Sequence, residues 1–373
     1  MQEKTEKQVV IVDGSCLVTE AMARAGAGAF IGYPITPANL LYQYSARRMP
    51  LFLPAPDEIS AVQWMSGLAA TGKLPVTATS FPGFALMLES LNMAFMMELP
   101  MVIVLVQRLG PATGTATCGA QGDLALLRGM ISGGHQIPVL CGADFESAWR
   151  LSAEAVHVAA RLRTPVVYLT SKEEMMTKKS FDLSLLDYIT AAEIPVFSGE
   201  GTYRSYEPGE NGIPSFLPVG NPAWQVRLNA STHDRDGILK HSTAEALGNT
   251  MRLEEKSRRH LGGYTHYEYD SQEGAEVLVI SYGVTASAAR EAVSGIRESG
   301  KKVSLLVPGT ILPVPDEYYD MSEKYERVVV AEENINAQYA RLLFGEKLPE
   351  RIRTMGAVGR MITDGEIRKE VLT

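Results

Sequence analysis

The chain has 373 residues, of which 46% are hydrophobic, so it can form two globular domains of ordinary size. Its 35 basic and 43 acidic residues give a net charge of −8 without any basic block, which argues against a nucleic-acid partner. No apolar run approaches the roughly 20 residues that span a bilayer, and the polar N-terminus lacks a signal-peptide core, so we expect a cytoplasmic protein with no membrane partner.

The first half of the chain alternates short β-branched segments with helical ones. A strand is predicted at residues 9–12, followed by a turn at 13–15 and a helix from Val18. Further strands are predicted at 30–33, 51–53, 76–79, 139–140 and 166–169, with helices at 38–48, about 85–98, 123–131 and about 145–162. This alternation predicts a parallel sheet with right-handed crossover connections.

The stretch MVIVLVQRLGPATG, residues 101–114, is predicted to hold the central strand of that sheet. Its unbroken apolar run is typical of a strand that is buried on both faces. Arg108 follows the run at once, in a loop rich in Gly, Pro and Thr. Since parallel sheets bind ligands beyond the carboxyl ends of their strands, we expect Arg108 in such a crevice, together with residues 32–37 and 56–58.

Three residues in these loops are candidates for a functional site. Arg108 could grip a carboxylate or a phosphate with two nitrogens, or form an ion pair that caps a helix or joins subunits. A helix predicted from about Pro56 places Glu58 in its first turn, where the macrodipole favours any acid. Thr36 lies between two prolines, where its hydroxyl could be a fixed donor or a helix cap. The residue types alone leave these alternatives open.

The second half of the chain begins with an irregular region. Between about residues 182 and 270, Pro, Gly, Asn and Ser are frequent, and only 243–260 is predicted to be helical. We interpret this region as a packed linker, because Trp224 and several tyrosines within it need burial. A second alternation of strands and helices starts at Val277 and predicts a smaller α/β domain.

Several motifs, taken together, resemble the α subunit of the thiamine diphosphate-dependent 2-oxoacid:ferredoxin oxidoreductases. The resemblance covers nearly the whole chain in the right order, and the first and third motifs are specific. The motifs are GYPITP (32–37), PDEISAVQWMSGLAATG (56–72), TSFPGFALMLESLNMAFMMELPMVIVLVQRLGPATG (79–114) and the unit at 276–334.

This resemblance implies a division of the chain into three parts. Residues 1–182 are expected to form an α/β domain with a parallel sheet of the transketolase type, which binds the pyrimidine ring of thiamine diphosphate. Residues 183–270 are expected to be the irregular packed linker. Residues 271–373 are expected to form a smaller α/β domain similar to the C-terminal domain of transketolase.

The resemblance also implies roles for individual residues. Glu58 matches the glutamate that hydrogen-bonds a ring nitrogen of the aminopyrimidine, and Phe84 falls at a second cofactor-binding position. Thr36 matches the threonine that contacts the substrate, and Arg108 matches the arginine that holds the 2-oxoacid carboxylate. A partly desolvated glutamate in this position exchanges a proton with the pyrimidine ring and favours its imino tautomer. No metal ligand is implied on this chain.

The chain departs from the family pattern at four places. It has LGPATG where GGPSTG is usual, TSFPGF where TSGPGF is usual, and PGTILPVP where RTLWPFP is common, and its loop TATCGAQGD lacks the common Pro and Lys. These differences concern the pocket for the substrate's side chain more than the chemistry.

The resemblance implies that the chain holds half of an active site. In the family, a separate β subunit binds the diphosphate through Mg²⁺ and carries an iron–sulfur cluster. This sequence has no suitable GDG…N pattern, and its cysteines cannot supply a four-thiolate cluster, since there are only three of them, Cys16, Cys118 and Cys141. We therefore expect a β subunit as partner, with separate γ and ferredoxin-like subunits, and with ferredoxin, a 2-oxoacid and coenzyme A as substrates.

The expected function is oxidative decarboxylation of a 2-oxoacid to an acyl-CoA with reduction of ferredoxin, or the reverse reaction, with no activity in the absence of the partner subunit. One alternative is the pyrimidine-binding half of another thiamine enzyme, such as a 2-oxoacid dehydrogenase or a transketolase. The other is a non-catalytic assembly subunit, against which the joint presence of Thr36, Glu58 and Arg108 argues.

Overall fold

A computed structural model describes residues 7–199 and 201–373. Its strands are β1 (Val9–Asp13), β2 (Ala29–Gly32), β3 (Leu51–Pro54), β4 (Pro75–Thr79), β5 (Met101–Gln107), β6 (Val139–Cys141), β7 (Pro165–Ser171), β8 (Lys178–Asp182), β9 (Tyr267–Asp270), β10 (Val277–Ser281), β11 (Ser304–Pro308), β12 (Thr310–Leu312), β13 (Arg327–Glu332) and β14 (Ile352–Gly356). Its α-helices are α1 (Gly14–Arg24), α2 (Asn39–Arg48), α3 (Glu58–Ala70), α4 (Phe81–Met96), α5 (Leu124–Gly129), α6 (Phe145–Leu162), α7 (Lys172–Met176), α8 (Ala244–His260), α9 (Ala286–Glu298), α10 (Asp316–Ser322), α11 (Gln338–Phe344) and α12 (Asp364–Leu372).

The larger sheet has seven strands in the order β12-β6-β7-β5-β4-β2-β3. All its neighbouring strands pair in parallel, except that β12 runs antiparallel to β6. Strand β5 lies between β4 and β7, and all of its residues are buried. The predicted parallel α/β sheet, with residues 101–106 in a central strand, is therefore confirmed.

The alternation of side chains along β5 explains its unbroken apolar sequence. Met101, Ile103 and Leu105 belong to a core cluster that includes residues of α3 and α4. Val102 and Val104 point the other way, into a cluster formed with α1 and α6. Because both faces of the sheet are covered by helices, every position of the strand must be apolar.

The start of the chain differs from the prediction. Strand β1 does not join the parallel sheet, because it pairs antiparallel with β8 in a separate two-stranded sheet. Val9 and Ile11 are exposed on one side of this ribbon, so the β-branched run there reflects strand propensity rather than burial in a sheet centre. The predicted turn at 13–15 is also wrong, since Asp13 caps α1 by accepting a hydrogen bond from the Cys16 amide at 2.9 Å.

Helix α1 begins at Gly14 instead of Val18, and helices α3 and α4 also begin at positions other than those predicted. Helix α3 starts at Glu58 instead of Pro56, because Asp57 is the capping residue and its carboxylate accepts from the Ser60 amide at 2.7 Å. The prediction that Glu58 lies in the first turn is confirmed. Helix α4 starts at Phe81, four residues earlier than expected, with Pro82 in its first turn, where proline is tolerated.

The second unit is a five-stranded sheet in the order β14-β13-β10-β11-β9, in which only the edge strand β9 is antiparallel. Helices α9 and α12 pack against each other, and their apolar side chains share a core cluster with this sheet. Between β11 and β13, the chain leaves this unit and forms β12, which is the edge strand of the larger sheet. The sequence analysis did not predict this strand, and it ties the two units together.

The region between β8 and β9 is irregular apart from short 3₁₀ turns and α8. It packs on the larger sheet's helices, with Tyr203 and Tyr206 buried and Trp224 half-buried. Helix α8 is attached by an ion cluster, in which Lys256 Nζ lies 2.7 Å from Glu98 Oε2 and Arg252 also pairs with Glu98. Among the residues described, no helix has the length and apolar character to cross a membrane.

Candidate active site

Four predicted site residues follow four neighbouring strands of the larger sheet. Thr36 follows β2, Glu58 follows β3, Phe84 lies in the first turns of the helix after β4, and Arg108 follows β5. These strands are adjacent in the order β5-β4-β2-β3 and parallel, so their carboxyl ends lie along one edge. The structure brings Thr36 and Arg108 into contact, and it places Glu58 beside the helix that carries Phe84.

The Glu58 carboxyl is buried, with 6% of the residue exposed. Burial raises its pKa above the usual value for glutamate. It packs against Gly83, where an added Cβ would lie 2.3 Å from Glu58 Oε1 and 2.2 Å from Thr79 Oγ1. A residue larger than glycine would therefore displace the carboxyl, and Glu58 has room at this place only because position 83 has no side chain.

Among the described residues, the one hydrogen-bond donor that acts on the Glu58 carboxyl is its own backbone amide, which lowers the pKa against the effect of burial. Across residues 7–199 and 201–373, no other residue donates a hydrogen bond to it. A largely buried carboxyl that receives no hydrogen bond from another residue keeps acceptor capacity for a ligand. The carboxyl therefore fits a ligand nitrogen that carries a proton, such as a ring nitrogen of an aminopyrimidine.

Arg108 and Thr36 are held together through the backbone. Arg108 Nη1 donates to the carbonyl oxygen of Thr36 at 2.6 Å, and Ser80 Oγ donates to the same oxygen at 3.5 Å. Thr36 does not cap α2, whose capping residue is Ala38. The Thr36 hydroxyl makes no hydrogen bond within the described part of the chain, so it is available to a ligand.

Arg108 is almost completely buried, and burial lowers its pKa. No carboxylate of the described residues lies within 4.0 Å of its guanidinium, so the ion-pair alternative is not realised inside this chain. Nη1 is used by the Thr36 carbonyl, whereas Nε, which is buried, and Nη2 have no protein acceptor in the described ranges. A buried guanidinium with an unused nitrogen is suited to binding an anionic group.

Asp123 is a site residue that the sequence analysis missed. Its side chain is buried next to the Arg108 region, and burial raises the pKa of its carboxyl to about 7, although the charge of Arg108 opposes the rise. Among the described residues, no hydrogen-bond donor reaches its Oδ2 atom. Its only sequence signal was its place at a helix start, where acids are common for structural reasons.

The loop that carries Asp123 is attached to the second unit by Gln121. The Gln121 side chain donates to the Tyr282 carbonyl at 2.7 Å and accepts from the Glu333 amide and the Thr285 hydroxyl, each at 2.8 Å. Its position is therefore set by residues more than 150 positions away in the sequence. Both units of the chain thus contribute to the surroundings of Arg108.

Phe84 lies in the core rather than at a surface. It has no exposed area and packs with Val62 and Met65 of α3 in the core cluster below Glu58. A direct contact of Phe84 with a cofactor stays a prediction. Of the metal-binding residue types, no group of three or more is placed to hold an ion in the part of the chain that the structure describes.

Comparison with known proteins identifies the family. Residues 20–250 match the family model "Pyruvate flavodoxin/ferredoxin oxidoreductase, thiamine diP-bdg". The chain belongs to this family. Residues 275–347 match a second family model, "Pyruvate:ferredoxin oxidoreductase core domain II". The two matches together include the larger sheet and most of the second unit.

Individual members of the family are similar over most of the chain. The 2-oxoglutarate synthase subunit KorA of Methanocaldococcus jannaschii is 28% identical over 336 residues, which are 89% of this chain and 90% of that protein. A solved 2-oxoglutarate:ferredoxin oxidoreductase from Magnetococcus marinus, with 2-oxoglutarate, coenzyme A and succinyl-CoA bound, is 28% identical with a TM-score of 0.92. The match covers 99% of this chain but only 66% of that longer chain.

The predicted relation to transketolase is confirmed at the level of the fold. A split-gene transketolase, solved as an inactive β4 tetramer, superposes with a TM-score of 0.53 over 96% of this chain and 95% of its own. Its sequence is only 16% identical, so this similarity concerns the fold alone.

Proposed function

We propose that this chain is the α subunit of a 2-oxoacid:ferredoxin oxidoreductase, an enzyme of the EC 1.2.7 class. The enzyme would decarboxylate a 2-oxoacid oxidatively, form an acyl-CoA and reduce ferredoxin, or run in reverse. The observation that carries the proposal is the edge of the sheet where Glu58, Thr36 and Arg108 follow neighbouring strands. There a carboxyl and a guanidinium are both buried without an ion partner from the described residues.

Each of the three residues has a role that its surroundings support. Arg108 binds the carboxylate of the 2-oxoacid with Nε and Nη2, the two nitrogens that the Thr36 carbonyl does not use, and the Thr36 hydroxyl donates to the substrate. Glu58 accepts a hydrogen bond from the aminopyrimidine ring of the cofactor and exchanges a proton with it. Burial raises the pKa of Glu58, which brings the carboxyl closer to the range in which it can both take and return a proton.

The cofactor we propose is thiamine diphosphate with Mg²⁺. When bound, it supplies the carbon nucleophile and the electron sink for decarboxylation. Glu58 would hold its pyrimidine ring, and Phe84 would support that site from the core. We assign the diphosphate, the Mg²⁺ and an iron–sulfur cluster to a β subunit, and we propose separate γ and ferredoxin-like subunits as further partners, with ferredoxin as the electron acceptor.

Purification of the native complex tests this proposal. The complex should reduce a viologen dye only when a 2-oxoacid and coenzyme A are both present, and this chain expressed alone should show no turnover and little binding of thiamine diphosphate. Turnover by the isolated chain would overturn the division of the active site between subunits. If the complex reduces the dye with none of the 2-oxoacids tested, the proposed function is wrong. The description of the fold would not be affected by that result.

A further inference from the structure

A cleft of about 390 Å³ opens directly at Arg108. One wall is the loop that follows β5, with Leu109 and Ala112, and the opposite wall comes from the second unit, with Ile335 and Val358. Phe81, the first residue of α4, also lines it. Phe81 is two residues from Gly83, which packs on Glu58. The cleft therefore lies next to the edge of the sheet where Glu58 and Arg108 are found.

The walls of the cleft are mainly apolar. Ile335 is 83% exposed and Val358 is 52% exposed, so both side chains present hydrocarbon surface to the opening. Large exposed apolar side chains that gather around one opening mark a surface that covers a ligand or a partner. Here they face a guanidinium, which is the group expected to hold the carboxylate of an oxoacid.

The charges around the cleft restrict which side chain fits. Among its described lining residues, Arg108 is the one cation, whereas Asp123 and Glu333 are acids. Glu333 is already engaged, since its Oε1 atom accepts from the Ile362 amide at 3.1 Å and from the Thr285 hydroxyl at 3.3 Å. If Arg108 holds the carboxylate next to the keto group, the described lining of the cleft offers no second cation for another carboxylate.

A dicarboxylate would therefore be disfavoured in this cleft. Its distal carboxylate would lose its water, find no cation, and lie near Asp123, which is costly in an apolar environment. An apolar side chain would instead gain by leaving water. The raised pKa of Asp123, about 7, agrees with surroundings that already disfavour negative charge.

We infer that the oxoacid used by this chain has an apolar side chain larger than a methyl group, as branched-chain and aryl 2-oxoacids have. This inference rests on the proposed function and narrows its substrate class. The size follows from the volume of the cleft, which a methyl group would leave largely empty.

The first test compares substrates on the native complex, with coenzyme A and a viologen acceptor. We expect kcat/KM for 2-oxoisovalerate or phenylpyruvate to exceed that for 2-oxoglutarate by about 100-fold, since an unpaired buried charge is costly, and that for pyruvate by at least about 10-fold. A preference for 2-oxoglutarate or pyruvate would overturn the inference and leave the proposed function standing. If no 2-oxoacid is oxidised, the proposed function itself falls.

The second test adds a cation to the cleft. Val358→Lys places an ammonium group at its mouth, and we expect it to raise kcat/KM for 2-oxoglutarate relative to 2-oxoisovalerate by about 10-fold, which corresponds to one favourable charge pair. Val196→Lys is the matched control, because Val196 is 64% exposed and lies outside the cleft. An unchanged ratio in Val358→Lys would show that the substrate's side chain does not occupy this cleft.

Discussion

Two buried glutamates, Glu58 and Glu98, have opposite environments. Glu98 is 0% exposed, bonds Lys256 Nζ at 2.7 Å and pairs with Arg252, and these cations lower its pKa to about 2. Glu58 has no partner from another described residue, and burial raises its pKa. One carboxylate is fully compensated within the chain, and the other is not.

The position of each glutamate explains this difference. Glu98 precedes β5, at the amino ends of the parallel strands, where its ion cluster fastens α8 to the sheet. Glu58 follows β3, at the carboxyl ends, where ligands of parallel α/β sheets bind. Glu98 with its cations serves the fold, whereas we propose that Glu58 is kept for a ligand.

The largest effect is expected for the compensated glutamate. Glu98→Gln leaves Lys256 and Arg252 buried without their anion, and we expect it to lower the free energy of unfolding by about 3–5 kcal/mol. Guanidinium titration of the purified chain measures this. Glu20→Gln is the matched control, because Glu20 pairs at the surface with Arg24 and Arg48, both of which stay in contact with water, and its loss should cost about 1 kcal/mol. Equal losses in the two variants would contradict the structural role of Glu98.

For the uncompensated glutamate, the effect should appear in the rate. Glu58→Gln removes the proposed proton-exchanging group, and we expect kcat of the assembled complex to fall by about 10²-fold or more. Steady-state viologen reduction measures the change, with gel filtration to check that the complex still forms. Glu20→Gln should keep the wild-type rate. An assembled Glu58→Gln complex with a normal kcat would leave Glu58 as a helix-start acid only.

A variant of Arg108 extends the comparison to the residue that is proposed to bind the substrate. Arg108→Lys keeps the charge but loses the planar fork, so kcat/KM for the 2-oxoacid should fall by about 10- to 150-fold. The affinity for thiamine diphosphate should change little, because the diphosphate is assigned to the partner subunit. Separate titrations of oxoacid and cofactor measure the two effects, with Arg258→Lys on the exposed face of α8 as control. Loss of cofactor affinity at unchanged KM would move Arg108 out of the substrate site.

The smallest effect depends on pH and concerns Asp123. Burial raises the pKa of its carboxyl to about 7 in the folded chain, from the ordinary value of about 4 for an aspartate. The folded state therefore holds this proton more tightly, so its stabilising effect is fully present below about pH 4 and is lost as the pH rises through about 7. Asp123→Asn should accordingly stabilise the chain at pH 8 by about 1–3 kcal/mol and change little at pH 4. Equal effects at both pH values, measured by guanidinium titration, would contradict the raised pKa.

Local patterns in the sequence predicted the centre of the fold well. The apolar run of β5 and the helix that places Glu58 in its first turn are encoded by neighbouring residues, so composition and spacing were sufficient. Strand β1 was assigned to the wrong sheet, because a β-branched run shows that a strand forms and does not show its partner. The strand β12 was missed since its place depends on pairing with β6, about 170 residues earlier in the chain.

The site was predictable only where a motif was present. The positions of Thr36, Glu58 and Arg108 after predicted strands made them candidates, the resemblance supplied their proposed roles, and the structure adds that they follow adjacent strands. The burial of Asp123 could not be predicted, because it depends on the long-range hydrogen bonds of Gln121 to the second unit. The compensation of Glu98 was equally hidden, since its cations lie 154 and 158 positions away.

The free energy of unfolding of Glu58→Gln at pH 7 tests most directly whether the buried carboxyl of Glu58 is kept for a ligand. If no residue of the chain compensates this carboxyl, replacing it with a neutral amide should leave the stability within about 0.5 kcal/mol of the wild type, or raise it. The same titration of Glu98→Gln is the reference, because that variant should lose about 3–5 kcal/mol of its free energy of unfolding. A loss in Glu58→Gln as large as that in Glu98→Gln would contradict the account, because it would mean that Glu58 holds the fold together.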